Sequence, residues 1–278
     1  MIIIAFFLGS WYLSLFTQSF FHHRYAAHAQ FRMSKFTERF FYFLTWLFQG
    51  PNYLSPYGYG IMHRLHHKYA DTEKDPHSPK YDKNLFAMMW RTKKTYSGYA
   101  NYETEVDSSL TANVPQWIWF DKMARSWPSR LAWSAFYIWV YWTFVPEGMW
   151  YLWALLPINL LMSPVHGAII NWYAHIYGYR NFDVNDTSMN LLPFDFLMWG
   201  ESYHNNHHKH GGSANFGGFR WHELDPMYIL IRLFHAVGII KLKKVEPFFK
   251  YKNKDKATLT VDKSETKTEK VKQTKKVA

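Results

Sequence analysis

Nine of the fifteen histidines in this 278-residue chain fall in four clusters whose spacing suits a metal site. They are His23 and His28 in HRYAAH, His63, His66 and His67 in HRLHH, His175 in NWYAH, and His204, His207 and His208 in HNNHH. Neutral imidazole is the commonest protein ligand for a transition metal, and nine exceed what one ion can hold, so a dinuclear centre is the natural reading. In a helix, positions i, i+3 and i+4 lie on one face, and each HxxHH segment is therefore expected to present three imidazoles towards one point. The other clusters say less alone. A pair five residues apart is more often two unrelated surface histidines, and His175 stands singly.

The remaining six histidines read as non-ligands for different reasons. His22 would point away from its neighbour on a helix, His77 sits in the turn-like DPHSP, and His210 and His222 follow the last cluster in a Gly-rich loop; His235 has no companion. His166 lies near the end of an apolar stretch, where a histidine needs a partner.

The chain has no cysteine, which removes thiolate zinc sites, iron–sulfur clusters and disulfides together. Zinc, iron, copper and nickel all accept imidazole, so ligand type alone leaves the metal open. A carboxylate-rich di-iron bundle needs two ExxH pairs and two further glutamates, yet only Glu201 to His204 has that spacing. No GxGxxG fingerprint follows a predicted strand and no haem or iron–sulfur motif stands in the sequence.

The elements that must position these residues read as membrane helices. Aromatic residues make up 21% of the chain, with 14 Trp, 20 Tyr and 23 Phe, and Trp and Tyr favour the membrane–water interface. Mean hydropathy is only −0.32, because apolar spans are averaged with a charged tail. Residues 1–21 carry no charged side chain and have the length of a span, with neither the basic start nor the cleavage site of a signal peptide. Residues 131–146 and 149–170, separated by Pro146-Glu147-Gly148, read as a hairpin with its tip at Glu147. The uncharged stretch 40–62 is interrupted by Gly50, Pro51 and Pro56, and a full crossing would divide the first two clusters. It reads as an interfacial or re-entrant element.

These spans put all four clusters on one face and the amino terminus on the other. Lys/Arg-rich segments accompany the clusters, which assigns that face to the cytoplasm. The expected fold class is all-α: an integral membrane protein of about three transmembrane helices capped by a cytoplasmic histidine-rich helical domain. The membrane domain covers 1–248. A basic disordered cytoplasmic tail, 249–278, follows; its 29 residues from 250 onward supply +6 of the net charge of +11. The tail reads as leaning on anionic membrane lipid; no binding motif accompanies its lysines, so no nucleic acid is expected.

Taken in order, HRYAAH, HRLHHKYADTEKDPHSP, NWYAHIYGYRNF and GESYHNNHH resemble the boxes of the membrane fatty-acid desaturase family, most closely its acyl-CoA desaturase (stearoyl-CoA desaturase-like) branch. The resemblance runs from about residue 23 to 242. It implies that the nine named histidines hold two iron ions, that Asn171 touches one iron through water, and that O2 is a co-substrate. The implied reaction introduces a cis double bond into a long saturated acyl chain, with a fatty acyl thioester as substrate and delta-9 as the commonest position. A separate cytoplasmic electron donor, a ferredoxin or a b-type cytochrome with its reductase, is implied as partner. Members of this branch usually have four membrane helices, whereas about twenty residues precede the first box here; either a three-span form or a truncated start is expected.

Removing hydrogen from an unactivated methylene lies beyond acid–base groups and calls for dioxygen and a redox-active metal, while the protein positions the substrate. The segments 46–57 and 117–120 either line an acyl tunnel or pack as ordinary core. A lipid or alkane hydroxylase shares the same boxes and is the second reading. A non-enzymatic metal-binding or transport protein would place its histidines within the spans, and here they gather outside them.

Overall fold

The computed structural model describes residues 1–251; the tail expected at 249–278 lies outside the described residues from 252 onward. α1 (Ile2–Thr17) runs directly into a π-helical stretch, Gln18–Ala27. A short strand, β1 (Phe31–Arg32), leads to α2 (Lys35–Gln49), α3 (Pro56–Tyr69), α4 (Leu85–Ala100), α5 (Ser108–Thr111) and α6 (Ile118–Ala124). Then come α7 (Trp127–Phe144), α8 (Leu155–Leu160) and α9 (Met162–Asn171), a loop-rich stretch holding α10 (His204–Lys209), and α11 (Pro226–Ala236). β2 (Lys241–Leu242) pairs antiparallel with β1, the only sheet among the described residues, so the all-α expectation holds.

The helices begin where side chains cap them. Ser34, Ser55, Asn84, Ser126 and Asp225 each accept a hydrogen bond from a backbone N–H in the first turn of α2, α3, α4, α7 and α11, and prolines stand in the first turn of α3, α7 and α11. Below the π-helical stretch an aromatic core forms from Phe20, Phe21, Phe31, Phe41, Tyr42 and Tyr228. Tyr53 and Phe120 are buried in this same core, with Trp46 and Trp117 packed against it.

α1, α7 and the α8–α9 pair form an apolar bundle. Ile3 packs against Val140, Tyr141 and Leu152 at one end, beside the 145–150 connection, and Trp11 and Leu15 meet Met162 and Met198 nearer the histidines. Among the described residues, Ile2–Ala27 is the one helix both long and apolar enough to cross a membrane. The second expected span, 131–146, is helical as α7 but falls short in apolarity. The third, 149–170, is not one straight helix. Trp150–Leu160 and Met162–His175 pass the span criterion only together and are bent by 73° at their break. The cause is local: Pro164 has no N–H to give to the carbonyl of Leu160, and its ring excludes a continuous helix there.

The stretch 40–62 is not one continuous helix. It divides into α2, a 3-10 turn at Gly50–Asn52 and α3. The turn enters the bundle beside the bend: Asn52 Nδ2 donates to Asn159 O (3.1 Å), and Ser163 Oγ to Asn52 O (3.2 Å). Gly50 is obligatory, because its φ is +52° and a Cβ would lie 2.8 Å from the Tyr137 hydroxyl.

Candidate metal centre

In an α-helix, residues five apart lie about 140° apart around the axis, so HRYAAH would aim its two imidazoles in different directions. The π-helical stretch changes this. His28 N donates to His23 O at 3.1 Å, an i to i+5 bond that puts the two residues one turn apart on one face. Arg64 of α3 then anchors the end of this stretch, donating to the carbonyls of Ala26 (3.1 Å), Ala27 (2.6 Å), Leu110 (3.0 Å) and Ala112 (2.6 Å).

α3 and α10 carry the two HxxHH segments. Six residues make a marginal helix, and side chains hold α10 in place. Asn205 takes the N–H groups of Asn181 and Phe182, while Asn206 donates to Glu223 and to Phe216 O. The expectation that each segment aims all three imidazoles at one point is corrected. From α3, His63 and His67 go to one group and His66 to another; from α10, His207 joins the first group, His204 and His208 the second. An i, i+4 pair projects from one face, and the intervening i+3 residue is rotated far enough to serve the neighbouring group.

The result is a five-histidine group, His23, His28, His63, His67 and His207, beside a four-histidine group, His66, His175, His204 and His208. Within each, one nitrogen per ring lies within 4.8 Å of all the others. Nε2 atoms meet directly: His28 to His63 at 2.9 Å, His67 to His207 at 2.9 Å, His23 to His207 at 3.0 Å, His175 to His204 at 3.0 Å. All nine predicted histidines are brought together.

The far side of several rings is held by residues that sequence reasoning missed. Nδ1–H of His66 donates to Asp75 (2.9 Å), that of His208 to Asp186 (2.9 Å), that of His23 to Glu201, and Nδ1 of His175 meets the Thr187 hydroxyl (3.1 Å). A proton on Nδ1 leaves a lone pair on Nε2, and those lone pairs point at one another. One proton between two rings cannot satisfy five such atoms; a cation can. The all-imidazole donor set fits a divalent transition metal in each group, iron included.

Electrostatics agree. Burial first, and then neighbouring imidazoles, hold His63, His67, His204, His207 and His208 well below the usual histidine range, in the neutral form that ligates. Burial pushes the Glu201 carboxyl up, but His23, Arg24 and Ser19 outweigh it and bring it down to about 2. For Asp75 burial likewise acts upward, and the hydrogen bond and charge of His66 reverse it, so that this carboxyl lies below its ordinary value.

Asn171, at the end of α9, lines a cavity with Gln18, Tyr59, His77, His204 and Glu201 that reaches both groups. Leu15, Met62, Ile170 and Met198 supply its apolar wall. Of the other histidines, His22 turns away onto the carbonyls of Thr17 and Leu54, and His166 finds Gln18 and the Trp11 ring. His77 is buried with its ring centroid 4.3 Å from that of His66.

A family model described as fatty acid desaturase matches residues 1–237. The chain belongs to the fatty acid desaturase family. Among its relatives in Arabidopsis thaliana, it is 31% identical to the Delta-9 desaturase-like 5 protein over 80% of this chain and 70% of that protein. It is 28% identical to Delta-9 acyl-lipid desaturase 2, over 81% of this chain and 69% of that one, and 27% identical to Delta-9 acyl-lipid desaturase 1, over 78% and 67%. As a member of this family of oxidoreductases of lipid metabolism, the desaturase acts on a fatty acyl substrate, and its two histidine groups suit a metal centre.

Proposed function

We propose that this desaturase holds two iron ions and introduces a cis double bond at the delta-9 position of a long saturated fatty acyl chain. The balanced reaction takes the acyl chain, O2, two electrons and two protons to the alkene and two waters. The observation that carries this reading is the pairing of five and four converging Nε2 atoms, with carboxylates on the far side of three rings. Bound iron supplies the activation of dioxygen that no side chain can.

The chain's own residues do the rest. His23, His28, His63, His67 and His207 would hold one iron, and His66, His175, His204 and His208 the other, with Asn171 placed to touch one iron through a water. Asp75, Asp186 and Glu201 fix tautomer and ring orientation. Leu15, Met62, Ile170 and Met198 receive the acyl chain against the metals and exclude bulk water. The electrons come from a separate carrier, a ferredoxin or a b-type cytochrome, at the cytoplasmic face, and the enzyme sits in the membrane with its amino terminus on the opposite side.

Expression in a desaturase-deficient host, followed by gas chromatography and mass analysis of total lipids, tests the reading. Desaturation appears as loss of two hydrogens at C9–C10. Gain of one oxygen would instead make the chain a hydroxylase. We propose coenzyme A as the acyl carrier; the acyl-lipid names of two relatives make a phospholipid-borne chain the competing arm. Purified enzyme with a reductant and each substrate in turn separates the two.

A further inference from the structure

The two histidine groups differ in what stands behind them. Behind the four-histidine group, Asp75 accepts from His66 and from the backbone N–H of Asp71 and His77, and Asp186 accepts from His208 and from Ser188 N. Neither carboxylate forms an ion pair with Lys or Arg among the described residues. Behind the five-histidine group, the single carboxylate, Glu201, is shared.

Arg24 shares it. Its side chain is fully buried, and each of its three nitrogens donates. Nη1 donates to Glu201 Oε1 and to Ser19 Oγ, Nη2 to Asp225 Oδ2 at 2.9 Å, and Nε to Ala214 O at 3.2 Å. Its guanidinium carbon lies 3.8 Å from the centroid of the Phe216 ring, which in turn packs 4.3 Å from His207 and 5.2 Å from His23, centroid to centroid. Burying a guanidinium is costly unless its charge is matched, and here two carboxylates match it.

We propose that Arg24 is a positioning residue which, through Glu201, fixes His23 and makes the five-histidine half a weaker electron donor to its metal than the four-histidine half. The inference rests on the dinuclear iron reading above. A carboxylate accepting Nδ1–H strengthens the opposite Nε2 as a ligand. Asp75 and Asp186 share that support with backbone N–H groups but with no guanidinium or ammonium among the described residues, whereas Glu201 gives it with much of its charge drawn towards Arg24. Two irons bound here are therefore inequivalent, and Arg24 controls one of them.

Mössbauer spectroscopy of the full chain loaded with 57Fe(II) in detergent tests this without turnover. The parent shows two ferrous quadrupole doublets. Glu201→Gln changes one doublet and weakens Fe(II) binding at that half by roughly 10–100-fold, Arg24→Gln changes that same doublet, and Asp75→Asn changes the other. Arg24→Lys, which keeps a charge beside Glu201, returns that doublet towards the parent, as a merely structural role would not require. If Arg24→Gln is not recovered folded, Glu201→Gln carries the test, since it leaves the Arg24–Asp225 pair in place. Unchanged doublets in Glu201→Gln, or both shifted alike, overturn the proposal while the dinuclear reading stands. A parent that binds fewer than two irons overturns both.

Discussion

Replacing His66 with Ala takes one donor from the four-histidine group, and replacing His207 with Ala takes one from the five-histidine group. Each variant is expected to lose at least about 100-fold in product formation, beyond what outer-shell changes at metal sites cost, and to remain in the membrane fraction, because neither side chain faces the apolar bundle. Product assayed per milligram of membrane protein checks this; activity within a few-fold of the parent would remove these residues from the ligand set. His235→Ala is the matched control, since His235 Nδ1 meets only Ile240 O at 3.4 Å. At this scale the sequence was informative about residue type. Nine imidazoles at those spacings are legible because few other uses call for HxxHH twice. What stayed hidden is their partition, and the reason is rotational: i+3 and i+4 share a face only broadly, and the two separate groups of nitrogens resolve the difference. The carboxylates stayed hidden because Asp75, Asp186 and Glu201 reach their histidines from loops whose path only the tertiary fold sets.

Helices bring these residues together, and close backbone approach sets how well they do it. A Cβ on Gly58 would lie 2.7 Å from the Cβ and 3.0 Å from the Cα of Ala100, so α3 and α4 touch there through backbone. Gly58→Ala is expected to destabilise the protein by about 1–3 kcal/mol, and Gly9→Ala, with nothing within 4 Å, to be neutral by thermal melting in detergent. Asp121 on α6 gives a pH signature. It accepts from the Tyr53 hydroxyl and from Ser55 Oγ, the residue that caps α3, and burial raises its carboxyl to about 6. Between about pH 4 and 6 the folded state keeps a proton that the unfolded chain has lost, so this group's contribution falls as pH rises through that window and is constant above it. Asp121→Asn removes the titration. The variant should gain on its parent by an amount on the order of 2 kcal/mol between those pH values and stay level beyond; a difference independent of pH would contradict the assignment. Helix type followed from the charge-free segments. The bend at Leu161 needed Pro164 to be weighed against the carbonyl of Leu160, and the π-helical turn is set by packing under Arg64, which local spacing does not encode.

For the whole molecule, the proposed arrangement sets α1, α7 and the α8–α9 pair across a membrane, with the histidines at one end of this bundle and Ile3 beside the 145–150 connection at the other. The chain has no cysteine, so single cysteines introduced into the full chain report sidedness cleanly. Ile2→Cys and Glu147→Cys should react with an impermeant maleimide from the side opposite to Lys74→Cys; all three reacting from one side would refute the arrangement. Cluster order, charge-free spans and lysine distribution carried this layout as an expectation, of which the structure shows the helices and the gathering of all four clusters. The most direct test of the central claim is the iron content of the full chain, purified in detergent from iron-replete cells. Two irons per chain are expected, and one iron, none, or another metal in both groups would contradict it.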